Sequence, residues 1–123
     1  MLSRLRKHTV SFKHALDGVW HNFKTQPNFR FHTLAMVAVI LLGIYYPLDS
    51  VEWLLLIFTF NMVFVAEMVN TSIESIVDLI TLERREDAKI AKDVYAGMVL
   101  ISAVFAICIG LFIFLPKILT SLN

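Results

Sequence analysis

Glu67-Met68-Val69-Asn70-Thr71-Ser72-Ile73-Glu74-Ser75-Ile76-Val77-Asp78 is the stretch that decides how this chain is read. It closes an apolar run of membrane-spanning length and sets polar groups on one stripe of it. At 100° per residue, Glu74 and Asp78 each fall about 20° around a helix from Glu67, and Asn70 falls about 60° away. Ionisable side chains at membrane depth are expensive, so a stripe of them points to function. Carboxylates one and two turns apart are also what divalent-cation binding or general-base chemistry asks for.

The rest of the chain gives the stripe its setting. Of the 123 residues, 58% are hydrophobic and 17% charged, with a mean hydropathy of +0.71. Soluble domains carry about 45–50% apolar and about 25% charged residues, so this composition is that of an integral membrane protein. The length suits one small domain over 1–123, without repeats, linkers or low-complexity segments. Cys108 is a lone cysteine inside the third apolar run, with no internal disulfide open to it and the character of a small apolar filler. The first thirty residues lack the continuous apolar core of a cleavable signal peptide.

Net charge is +1, and its distribution is more telling than its sum. Arg4, Arg6, Lys7, Lys13, Lys24 and Arg30 precede the first apolar run. Arg84, Arg85, Lys89 and Lys92 separate the second from the third, and residues 47–52 carry no base. The positive-inside rule then puts the N-terminus and the 81–93 region in the cytoplasm, with the 47–51 turn and the C-terminus outside. These positions already account for the basic residues, so no nucleic-acid partner is expected.

The expected fold is all-α: an N-terminal amphipathic surface helix and three transmembrane helices. Residues 3–23 form the surface helix, with Phe12, Leu16, Val19, Trp20 and Phe23 at helical spacing opposite Lys13, His14, Asp17 and Lys24. A turn over Thr25 to Asn28 leads into a first span over 31–48, roughly 27 Å of helix for a bilayer core of about 30 Å. The second helix covers 51–80, and the third, 94–115, stops at Pro116. Counted from Val51, Glu67 lies roughly 24 Å along its helix and Glu74 roughly 35 Å. Glu67 is thus just inside the cytoplasmic edge of the hydrocarbon, and Glu74 is among the headgroups. A reaction between a membrane lipid and a water-soluble donor belongs at that depth, whereas a channel or pump favours carboxylates near mid-membrane.

Glu67, Asn70, Thr71, Glu74, Val77 and Asp78, with Lys92, Asp93 and Gly97 further on, resemble the prokaryotic diacylglycerol kinase family, which includes the undecaprenol kinases. An Asn-Phe-Arg-x-His segment at Asn28 to His32 and the order of the helices extend the resemblance over nearly the whole chain. Nothing in the residues alone announces a kinase, since there is no phosphate-binding glycine loop and the four glycines are isolated. The resemblance implies a lipid kinase of the bacterial inner membrane that uses ATP and Mg²⁺ and works as a homotrimer. Phosphoryl transfer needs chiefly positioning and charge neutralisation, so a base, a metal and a lysine suffice in principle.

By the same resemblance, Glu67 is the general base and Asn70 orients it or meets phosphate. Glu74 is the metal ligand, and Lys92 and Asp93 contact the nucleotide. Asp78 has a structural role, capping or pairing with the loop. Two positions depart from the family pattern. Gln26 stands where a second acidic metal ligand is usual, leaving a carbonyl oxygen but one charge fewer. In the loop, Glu83-Arg84-Arg85 replaces an acidic-aromatic-His cluster, with Glu83 keeping the acid and Arg84 and Arg85 beside the nucleotide. The N-terminal base that meets substrate and nucleotide falls on Lys7. The lipid alcohol is undecaprenol or diacylglycerol, and Arg30-x-His32 with Phe114-Leu115-Pro116-Lys117 leans to undecaprenol. A trimer suits a chain whose three spans are too few to hide Glu67 and Asn70 from lipid. The competing functions are a small oligomeric transporter or channel lined by the acidic stripe, and an inactive adaptor of the same fold.

Overall fold

In a bilayer every backbone polar group must find an internal partner, and an apolar chain of this kind meets that demand as helices. The computed structural model describes residues 2–123, with side chains from Ser11 onward. It comprises α1 (Leu2–Thr25), α2 (Pro27–Tyr45), α3 (Ser50–Ile80) and α4 (Glu86–Ser121), with no strand among the described residues. The last three are long and apolar enough to cross a membrane.

Helix α3 is the centre. It packs on α4 along its length and on α2, while α1 rests on α2 and α3. The buried residues of α3 are Leu56, Thr59, Val63, Ala66, Glu67 and Thr71, a stripe at three- and four-residue spacing. Its apolar part meets Ile113 and Phe114 of α4, flanked by Val39, Tyr46, Leu48 and Trp53. Apolar burial gives little advantage over lipid, so close packing and a few polar ties must hold these helices together. Gly43 is one such close approach: a Cβ there would lie 2.8 Å from the Trp53 ring and 2.9 Å from Leu48.

The turn between α2 and α3 is closed by a reciprocal cap. Glu52 N donates to Asp49 Oδ1 at 2.8 Å, and Asp49 N donates to Glu52 Oε2 at 2.9 Å. Lys117 of α4 adds an ion pair to the same Glu52 oxygen at 3.1 Å and donates to the Pro47 carbonyl at 3.3 Å. We call this the turn end of the bundle, and the opposite end, with residues 81–85, the loop end.

Helix boundaries differ most from those expected at three places. The turn over 25–28 contracts to Gln26, extended at φ −106° and ψ 108°, because Pro27 is preset for the first helical position and has no N–H to lose. Helix α4 begins at Glu86, where Glu86 and Asp87 suit the positive end of the helix dipole, so Lys92 and Asp93 are helical. It also runs through Pro116 to Ser121. The proline removes one backbone donor, but residues beyond it have partners at the turn end: Lys117 as above, and Ser121 Oγ, 3.5 Å from Tyr46 Oη. On α1, Phe12, Leu16 and Trp20 are exposed, an apolar face turned away from the bundle as an interfacial helix requires.

Candidate active site at the loop end of α3

The acidic stripe continues the stripe by which α3 packs, and this register sets each carboxylate's surroundings. Glu67 falls one turn beyond Val63, against the bundle, and is 1% exposed. The single chain therefore hides Glu67 completely, against the expectation that three spans were too few; Asn70 is half-buried. Asn70, expected to orient Glu67 or meet phosphate, makes no hydrogen bond with it. His32 of α2 does the facing instead, its Nε2 3.4 Å from Glu67 Oε1. That is ion-pair distance without hydrogen-bond alignment, and Oε1 is left buried and unpartnered. The edge-to-face pair Phe29–Phe64, centroids 4.9 Å apart, fixes α2 against α3 beside this contact. Sequence reasoning used His32 only as part of a segment resemblance; the signal available was a histidine at the mouth of an apolar helix with an acid at similar depth on the next.

Thr71 is disposed of locally. Its hydroxyl donates to the Glu67 carbonyl at 3.0 Å, as Ser72 and Ser75 donate to carbonyls four residues back. Asn22, on the last turns of α1, is a residue the sequence did not single out. It is 4% exposed, and its Nδ2 has no partner.

A turn beyond Asn70, Glu74 is half-buried and enters none of the ion pairs found among the described residues. The buried Tyr95 of α4 lies within electrostatic reach of Glu74, Asp78 and Lys92. Asp78 receives Lys92 Nζ at 2.8 Å, tying the end of α3 to the start of α4. Beyond them, Glu83, Arg84, Arg85, Lys92 and Asp93 line one polar cleft of about 560 Å³. Lys89 also reaches it and pairs with Asp93. Gln26 is half-buried at the N-cap of α2, and its side chain makes no capping bond. The side chain of Lys7 lies outside the described residues.

A second cavity, of about 390 Å³, has the opposite character. It opens between α2, α3 and α4 and is walled by Met36, Val39, Phe60, Val63, Phe64 and Ile107, with His32 among its lining residues. An apolar trough therefore runs up to the partner of a buried carboxylate, and a polar cleft lies beyond it.

Residues 13–114 match the prokaryotic diacylglycerol kinase family. The chain belongs to that family. It is 41% identical over 116 residues to an undecaprenol kinase of Bacillus subtilis (strain 168), covering 94% of both chains. It is 42% identical over 112 residues to a diacylglycerol kinase of Synechocystis sp., covering 90% of this chain and 64% of that one. Membership makes the chain a membrane lipid kinase, a phosphotransferase that uses ATP. Nothing in the geometry favours the channel or the adaptor: Glu67, the deepest carboxylate of the stripe, is sealed from solvent within one chain.

The donor set bears on the metal such kinases use. No three His, Cys, Asp or Glu side chains among the described residues are grouped to hold an ion by themselves. Mg²⁺ typically keeps several waters and is held by one or two carboxylates together with substrate phosphates. Glu74, free of other ion pairs, fits that mode, and Gln26 offers a neutral oxygen.

Proposed function

We propose that this kinase transfers the γ-phosphate of Mg-ATP to the hydroxyl of undecaprenol, in preference to diacylglycerol, at the cytoplasmic face of the bacterial inner membrane. The observation that carries the reading is an apolar trough that reaches His32, the partner of Glu67, together with a charged cleft at the loop end, built from the 81–85 loop and the start of α4. A hydrocarbon chain in the apolar trough brings its hydroxyl to His32 and Glu67, and a nucleotide in the polar cleft meets Lys92, Asp93, Glu83, Arg84 and Arg85.

Glu67 accepts the hydroxyl proton as the lipid oxygen bonds to the γ-phosphorus. The bond from that phosphorus to the bridging oxygen breaks, and its electron pair leaves with ADP. Asn70 donates its amide to Glu67 or to phosphate. Glu74, with Gln26, would hold the Mg²⁺, which would neutralise phosphate charge. Lys92 leaves Asp78 for phosphate, and Asp93 exchanges Lys89 for a nucleoside hydroxyl or amine. Lys7 closes the site from α1. The preference for undecaprenol rests on Arg30-x-His32 and on full-length similarity to the Bacillus subtilis relative.

The homotrimer is supported by Asn61. It is exposed on α3, roughly 16 Å from the start of the helix and so near mid-bilayer, where an amide facing lipid is unfavourable and one facing a second copy is not. A single-chain mass in detergent by light scattering would contradict it. The orientation, N-terminus inside and C-terminus outside, is tested by cysteines placed at Ser3 and Ser121 in a Cys108→Ser background. Labelling of both from one side would overturn it.

The function is tested with purified protein, Mg-ATP labelled in the γ-phosphate, and the two lipids side by side. Faster label transfer to undecaprenol is expected. Faster transfer to diacylglycerol would reverse the substrate assignment, and label on neither would remove the proposed transfer.

A further inference from the structure

Glu67 is sealed within the bundle with one oxygen unpartnered, and the group that faces it is neither arginine nor lysine. It is His32, on the second turn of α2, 17% exposed in its side chain and 3.4 Å away. The Phe31 ring meets the imidazole edge-on, with centroids 5.9 Å apart. The Phe29–Phe64 pair anchors the preceding turn of α2 to α3. His32 also lines the apolar trough. One imidazole therefore touches both the proposed base and the path by which a lipid chain would bring its hydroxyl to it.

The residue type matters. A guanidinium against a buried carboxylate makes a strong two-pronged pair, which stabilises the ionised form but occupies both oxygens and opposes proton uptake. An imidazole engages one oxygen with one N–H and leaves the other free. A carboxylate whose only partner is a histidine can be held in place and still accept a proton.

Resting on the kinase reading above, we propose that His32 is the positioning residue for Glu67. Its Nε2–H donates to Oε1 once substrate tightens the site, which fixes the carboxylate with Oε2 turned to the lipid hydroxyl. His32 does not itself touch phosphorus or nucleotide. Its replacement then acts on the chemical step and leaves ATP binding alone, and it acts through Glu67.

The test uses full-length protein in one lipid mixture and compares wild type with His32→Ala, His32→Gln, Glu67→Gln and the double variant His32→Ala/Glu67→Gln. For His32→Ala we expect kcat to fall about 10–100-fold, the scale on which partners that orient a reacting group act. The KM for ATP should stay at the wild-type value, and added imidazole should restore part of kcat. His32→Gln, which keeps a donor and much of the volume, should retain more activity than His32→Ala. The double variant should be no slower than Glu67→Gln alone. A wild-type kcat in His32→Ala, losses that multiply in the double variant, or a raised KM for ATP in His32→Gln would each overturn the proposal. Failure of the kinase reading looks different: wild type would label no lipid, or Glu67→Gln would keep wild-type turnover.

Discussion

The two ends of the α3–α4 hairpin carry the same residue pair, an acid on α3 and a lysine on α4, to different effect. At the turn end, Glu52 caps α3, accepts Lys117 and shares that lysine with the Pro47 carbonyl. Asp49, Glu52 and Lys117 are all engaged within the chain. At the loop end, Asp78 and Lys92 form one ion pair, each side chain 43% exposed, while Glu74 stands outside the ion pairs found among the described residues and Glu67 is buried with a vacant oxygen. A half-exposed pair of that kind adds little to the stability of the fold. Polar groups that stabilise a fold are satisfied by it; polar groups kept for a substrate are left wanting. By that measure the turn end is structural and the loop end is chemical.

The comparison breaks most readily at Glu74. Glu74→Ala should weaken apparent Mg²⁺ affinity by about 10–100-fold at fixed ATP, with thermal stability unchanged. A Mg²⁺ titration matching wild type would move Glu74 to the structural side. Gly43, near the turn end, should behave in the opposite way. Gly43→Leu forces a branched side chain into the Trp53 and Leu48 contact and should cost about 1–3 kcal/mol of stability, with kcat of the folded fraction preserved. Unfolding in a denaturing detergent series reads the first quantity and turnover per ATP-binding site the second. An unchanged unfolding midpoint would mean the helices part there without penalty. The smallest expected effect is a sharpening one. Gln26→Glu adds a carboxylate where an uncommitted amide now lies and should lower the Mg²⁺ midpoint a few-fold. A midpoint that does not move would leave Glu74 as the sole protein metal ligand.

The helices were legible because they rest on patterns of many residues. Long apolar runs and basic clusters between spans both survive inspection without a structure. What escaped depended on contacts between helices. Pro116 reads locally as a stop, yet α4 continues, since Lys117 and Ser121 find partners on a turn about seventy residues away in sequence. Pro27 reads as part of a turn, yet it starts a helix. At the site, the spacing of Glu67, Glu74 and Asp78 placed them on one stripe, but not which neighbour that stripe would meet. His32 facing Glu67, and the orphaned amide of Asn22, are set by how α1 and α2 lie on α3. The gathering of Glu83, Arg84, Arg85, Lys92 and Asp93 around one cleft required the short loop and the early start of α4.

Glu67→Gln measured beside Glu52→Gln tests the division most directly, in the same lipid, with turnover and ATP binding read on each protein. Loss of a general base lowers the rate by about 10²–10⁴-fold. The account predicts that scale of loss in kcat for Glu67→Gln with ATP affinity intact. For Glu52→Gln it predicts near-normal kcat and a lower unfolding midpoint. Wild-type turnover in Glu67→Gln, or a comparable collapse of kcat in folded Glu52→Gln, would contradict it.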